Sequence, residues 1–113
     1  VESTHLFAGL PVSDLEAAVD WYGRLFGRPP DRRPTGHEVV WQLTPSGHVY
    51  VVSDPPAAGS GRITLAVADL AAELDRLAGV ELAANIETLG SGVRRAILHD
   101  PDGTSIALFE SPA

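Results

Sequence analysis

The chain has 113 residues, 44% of them hydrophobic, which is enough for one domain with its own core. Its formal net charge of −7 argues against nucleic acid as a partner, and its only basic cluster, Arg28 to Arg33, is interrupted by Pro29, Pro30 and Asp31 and reads as a solvated edge. There is no cysteine, which excludes disulfides, thiolate metal sites and a cysteine nucleophile. No apolar run approaches the roughly 20 residues of a membrane span, and no secretory signal is visible, so a cytoplasmic protein without membrane contact is expected.

From the N-terminus, residues 4–12 (THLFAGLPV) read as a buried strand ending near Pro11. Ser13 followed by Glu16 has the spacing of a capping box and predicts a helix start. Leu15, Val19, Tyr22, Leu25 and Phe26 then form one apolar helical face, stopped by Gly27. The Pro/Arg stretch to Pro34 suits only an edge strand or an extended connector. Residues 39–43 and 48–52 flank TPSG, a hairpin signal, and PPAAGSG (55–61) reads as a linker. The next strand is predicted from Arg62 to Val67, with a helix from Asp69 to Ala78 stopped by Gly79. A weaker strand is expected near Ala83 to Thr88. Strands at 93–98 and 104–109 flank HDPDG (99–103), where Pro101 and Gly103 suit a tight turn.

The two halves echo each other. LPVSDLEA (10–17) returns 55 residues later as LAVADLAA (65–72), with Leu10, Val12, Asp14, Leu15, Ala17 and Asp20 all matched. Each half is strand–helix–strand–strand–strand, an α+β pattern, and two copies of one unit are too few for a solenoid. A single domain of two modules, 1–54 and 62–113, is therefore expected, with a ligand cleft between pseudo-symmetric halves.

The V-x-D-L run that opens each helix, the DWY…LFG helix (20–27) and the terminal DPDG-x-x-I (100–106) together resemble the vicinal oxygen chelate superfamily. That superfamily includes glyoxalase I, extradiol dioxygenases, fosfomycin-modifying enzymes and bleomycin-resistance proteins. The resemblance covers nearly the whole chain. It implies two βαβββ modules curling into an open, barrel-like cleft and commonly paired as a homodimer. It also implies four metal-ligand positions: one on each first strand, five residues before the Val of V-x-D-L, and one on each last strand. Here those positions are Phe7, Arg62, Ala107 and Tyr50. None is a usual ligand for the ions these enzymes employ, and a guanidinium repels a cation. No metal and no cofactor are therefore expected.

Two residues earlier, on the same strand face, the four positions read His5, His48, Ser60 and Ser105. With the first and last strands of a module parallel, His5 and His48 would lie close together, an alternative metal pair that lacks the usual third ligand. Two residues later the positions are Gly9, Val52, Thr64 and Phe109, so the inferred cleft is polar at one end and apolar at the other. Phe7 and Tyr50 either line a ligand site or fill the barrel, and Arg62 either meets an anionic group or pairs with a carboxylate. Trp41 shares a strand face with Val39 and Leu43 and is either core or a stacking platform; Trp21 reads as core or dimer packing. Glu38 is a general base only if its edge folds over the cleft. His99 and Asp100 read as turn residues, and Arg94 and Arg95 point to opposite faces. No G-x-S-x-G elbow is present, and GSG (59–61) precedes a strand, so no phosphate cradle is formed. The sequence thus points to a metal-independent protein that sequesters or carries a small organic ligand on Phe7, Trp41, Tyr50, Arg62 and Ala107. The alternative is a glyoxalase-like lyase or isomerase, using either a metal or acid–base chemistry.

Overall fold

The computed structural model describes residues 1–78 and 86–112. The elements run β1 (Leu6–Val12), α1 (Leu15–Phe26), β2 (Arg32–Thr35), β3 (Glu38–Gln42), β4 (Gly47–Ser53), then β5 (Arg62–Ala66), α2 (Leu70–Ala78), β6 (Glu87–Thr88), β7 (Arg94–His99) and β8 (Ser105–Glu110). One turn of 3-10 helix, Pro55–Ala57, lies in the linker. The strands form two four-stranded sheets, ordered β1-β4-β3-β2 and β5-β8-β7-β6. In each, the first strand lies parallel to the last while the others form an antiparallel meander. The helix supplies the crossover that a parallel pair requires. The arrangement is α+β, and neither sheet closes into a barrel.

Alternation along each strand separates two faces. In the first sheet Leu10, Val12, Val39, Trp41, Val49 and Val51 face the helix side and are buried with Tyr22 and Leu25. In the second sheet Ala96, Leu98, Ile106 and Leu108 do the same with Leu70 and Leu77, and both sets belong to one core. The opposite faces are open. Phe7 is 46% and Ile97 38% exposed, values high enough to mark apolar surface that a single chain leaves uncovered.

Both helices start in the same way, on the Asp of V-x-D-L. Asp14 accepts from the Ala17 N–H at 3.1 Å, and Asp69 from the Ala72 N–H at 3.0 Å. The predicted capping residue was Ser13. Its hydroxyl instead donates to Asp102, so it ties the start of α1 to the second half of the chain. Asp14 takes the cap because its backbone is extended (φ −134°, ψ 105°) while its carboxylate reaches the first turn. Asp14→Ala and Asp69→Ala are each expected to cost about 1 kcal/mol in denaturant unfolding. A Ser13→Ala loss larger than the Asp14→Ala loss would reverse the assignment. Gly27 ends α1 as expected, at φ 79° with its N–H donating to the Gly23 carbonyl at 2.8 Å. The expected stop at Gly79, and residues 83–85 of the weak strand, lie outside the described residues.

Among the described residues, polar contacts at Ser13, Tyr22 and Arg76 join the halves. Ser13 donates through its N–H (3.0 Å) and its hydroxyl to Asp102. Tyr22 donates to the buried carboxylate of Asp100 at 2.7 Å. Arg76 of α2 donates to the carbonyls of Arg24 (2.8 Å) and Leu25 (2.7 Å), capping the C-terminal end of α1.

Candidate functional site

The open face of the first sheet carries cross-strand rows. Phe7 stands opposite His48 and Gln42, Gly9 opposite Tyr50 and Val40, and Pro11 opposite Val52 and Glu38. Gly9 has no side chain, so the Tyr50 ring lies directly over its backbone; a Cβ there would fall 2.5 Å from the phenol carbon and oxygen. Phe7 stacks on His48 with ring centroids 4.3 Å apart and planes 11° from parallel. His5 approaches the other histidine to 5.4 Å between centroids.

These residues wall a groove. One part, about 710 Å³, is lined by His5, Phe7, Arg32, Val40, Gln42 and His48, with Thr4 and Asp31. A second part, about 350 Å³, lies among Phe7, Arg32, Pro34, Glu38, Val40 and Tyr50. Phe7, Arg32 and Val40 belong to both, so the groove crosses the sheet from β1 to β2. Both ring nitrogens of His48 are buried without a hydrogen-bond partner among the described residues, an unmet polar demand beside the cavity. Asp31 is already engaged. The Gln42 backbone N–H holds its carboxylate below the usual range, with Arg28 and Arg32 adding to the effect.

The predicted site residues divide between two places. Phe7 and Tyr50 come together in this groove, and His5 and His48 adjoin it. Arg62 and Ala107 lie on the open face of the second sheet, where Arg62 pairs with Ser105 and Ala107 with Thr64. No described cavity combines Arg62 or Ala107 with Phe7 or Tyr50. These cavities thus keep the site residues of the two sheets apart. Cavities between the halves include one of about 490 Å³, among Leu25, Phe26, Leu43, Val67 and Leu108.

Trp41 requires a correction. It faces the helix side, 0% exposed, with its ring 5.3 Å from that of Phe26 and its N–H donating to the Arg28 carbonyl at 3.0 Å. Alternation placed it with Val39, and the helix covers that face, so it is core and no stacking platform. The same alternation puts Glu38, Val40 and Gln42 on the other face. Glu38 thus does reach the groove, and so does Arg32, whose Pro/Arg context had suggested a solvated edge. The signal for Arg32 was present in the prediction of an edge strand, since alternate residues of such a strand face the groove.

The sequence from residue 4 to 108 matches the family model of the Glyoxalase/Bleomycin resistance protein/Dioxygenase superfamily. The chain belongs to this superfamily. Among solved structures, the fold superposes on a glyoxalase/bleomycin resistance protein from Catenulispora acidiphila with a TM-score of 0.90. The two are 41% identical over 97% of this chain and 100% of the other. An antibiotic binding protein, TnmS3, from Streptomyces sp. CB03234 is 27% identical over 98% of each chain, with a TM-score of 0.79. A bleomycin-binding protein complexed with bleomycin is 23% identical over 97% of this chain and 100% of the other (TM-score 0.77) and shares the fold. No curated protein sequence matches the chain.

Metal enzymes of the superfamily raise the question of whether these residues suit a metal ion. At the four family positions they do not. Phe7 and Ala107 have no donor atom, Arg62 is a cation and Tyr50 is a phenol. Among the described residues, no three His, Cys, Asp or Glu side chains cluster closely enough to hold an ion. No helix of the described residues is long and apolar enough to cross a membrane.

Proposed function

We propose that the protein binds a small organic molecule in the groove of its first sheet, sequestering or carrying it without a metal ion of its own. The observation that carries this reading is the groove itself: a cavity of about 710 Å³, continued toward Tyr50, holds Phe7 and Tyr50, two of the four ligand positions that the family resemblance implies. Its walls are an aromatic and imidazole stack, a phenol and a guanidinium, a lining suited to holding a flat organic body and unsuited to chelating an ion. The antibiotic binding relative, 27% identical over almost its full length, supports the same reading, with an antibiotic or similar metabolite as ligand.

The protein is further proposed to act in the cytoplasm as a homodimer, with a second copy covering the exposed apolar residues of the open faces. Phe7 and Ile97 are the exposed large apolar residues of those faces. Sedimentation at micromolar concentration is expected to give twice the mass of one chain.

The test is thermal-shift screening of an antibiotic and metabolite panel in the presence of a chelator. A compound at a hundred times its Kd should stabilise the fold by about 2.7 kcal/mol, and Tyr50→Ala should reduce the shift. Stabilisation that appears only after adding a divalent ion would overturn metal independence. An enzymatic reading rests on Glu38 and Tyr50 sharing one cavity with Arg32. Chemical conversion of a bound compound that is lost in Glu38→Gln would favour that reading.

A further inference from the structure

Six of the eight arginines form ion pairs: Arg24 with Asp20, Arg28 with Asp31, Arg33 with Glu16, Arg76 with Glu73, Arg94 with Glu110 and Arg95 with Glu87. Among the described residues, Arg32 and Arg62 do not. In a chain with 15 carboxylate side chains, an arginine without one calls for a reason. Arg32 has acidic company, since it lies near Asp31 and lines the same cavity as Glu38. The described carboxylate on the face of Arg62, Glu87, is taken by Arg95.

Arg62 stands directly opposite Ser105 on β8, and Ser105 stands opposite His99 on β7. Neighbouring strands are about 4.8 Å apart, so guanidinium, hydroxyl and imidazole form one row across three strands. Thr64 sits two residues along β5 on the same face. Among the described residues none of these four side chains makes a hydrogen bond within the chain, whereas Arg95 and Glu87, on the same face, are committed to each other at 2.6 Å. The next row is Thr64, Ala107 and Ile97, small or apolar, with Ile97 38% exposed. A cluster of unused donors thus borders an apolar shelf.

We propose that this row is an oxyanion subsite on the open face of the second sheet, apart from the groove of the first, for an organic molecule that carries a carboxylate, sulfate or phosphate group on an aromatic or aliphatic body. Arg62 pairs with the oxyanion, the Ser105 and Thr64 hydroxyls and a ring N–H of His99 donate to it, and the body lies along Ala107 and Ile97. The inference rests on the small-molecule-binding reading and adds to it a place on the second sheet that takes an anionic group. The net charge of −7 points the other way, toward cations, but net charge acts at long range and through salt, whereas recognition is decided by the groups in contact.

The probe pair is phenyl phosphate and benzylamine, similar in size and opposite in charge, followed by proton–nitrogen correlation NMR on the full chain. Phenyl phosphate is expected to shift Arg62, Thr64, His99 and Ser105 saturably, and benzylamine to leave them unmoved. Arg62→Gln should weaken phenyl phosphate about tenfold, the loss of one charge-assisted contact. Arg24→Gln, which removes the same charge from the exposed surface of α1, should change nothing. An equal response to benzylamine, undiminished binding by Arg62→Gln, or no saturable shift on this face each overturns the subsite. If phenyl phosphate or the panel compounds still move Phe7 and Tyr50, the anionic subsite alone has failed. If nothing moves on either sheet, the small-molecule reading fails with it.

Discussion

Asp100→Ala is expected to destabilise the fold by about 3–5 kcal/mol and to lower Tm by more than about 10 °C. Asp100 is 4% exposed, and its carboxylate accepts three hydrogen bonds. One oxygen takes the Tyr22 hydroxyl at 2.7 Å; the other takes the N–H groups of Asp102 and Thr104, each at 2.9 Å. Alanine would strand three donors in the region where the two halves join, and the cost of an unsatisfied buried donor exceeds the net worth of the bond it made. Asp102→Ala provides the contrast. Its bonds to Ser13 are exposed, so a loss of about 1 kcal/mol is expected. Denaturant unfolding of both variants tests the difference, and equal losses would refute the role given to Asp100.

The same pair sets an alkaline limit. Burial, then the hydrogen bond to Asp100, pushes the Tyr22 hydroxyl far above its ordinary value of 10.0. A group held protonated in the fold but released in the unfolded chain leaves the unfolded state with fewer bound protons above that pH. Stability is therefore complete below about pH 10 and falls by about 1.4 kcal/mol per unit as pH rises past it. The chain has no lysine and no cysteine to add their own steps to the alkaline profile. Subtracting the profile of Tyr22→Phe isolates the contribution of Tyr22.

The fold was legible because the pattern that encodes it is local and occurs twice. Val12-x-Asp14-Leu15 and Val67-x-Asp69-Leu70 each mark a strand end, a cap and the first apolar position of a helix, and the structure builds both alike. DPDG at residues 100–103 read as a turn. That Asp100 also buries its carboxylate against Tyr22, 78 residues away, is a tertiary fact with no local signal. The site was legible in part for the same reason. The family resemblance put Phe7 and Tyr50 on equivalent strand positions, and strand alternation keeps them on one face. Alternation does not say which face the helix covers, so Trp41 could be read as core or as a platform; it was counted among the ligand residues and lies in the core. Nor does alternation say how two sheets are set relative to each other, and Arg62 and Ala107, expected in one cleft with Phe7 and Tyr50, lie on the open face of the second sheet.

Gly9→Val is expected to reduce binding of the tightest panel compound at least tenfold while changing stability by no more than about 1 kcal/mol. Gly9 needs no special backbone conformation, being absent from the glycines with positive φ, so valine suits the strand itself. What it displaces is Tyr50, whose ring now covers the bare backbone at Gly9 and would meet the new Cβ at 2.5 Å. The phenol must swing off the sheet, and the space open to it is the groove it shares with Phe7, Arg32 and Val40. Because Gly9 lies on the open face, the core behind the sheet is untouched and loss of binding cannot be charged to unfolding. The mechanism has its own control. If valine acts by moving Tyr50, its effect should vanish in a Tyr50→Ala background, where no ring remains to displace. Binding unchanged in Gly9→Val, or an equal further loss when the two substitutions are combined, would place the ligand elsewhere than the groove beneath Tyr50.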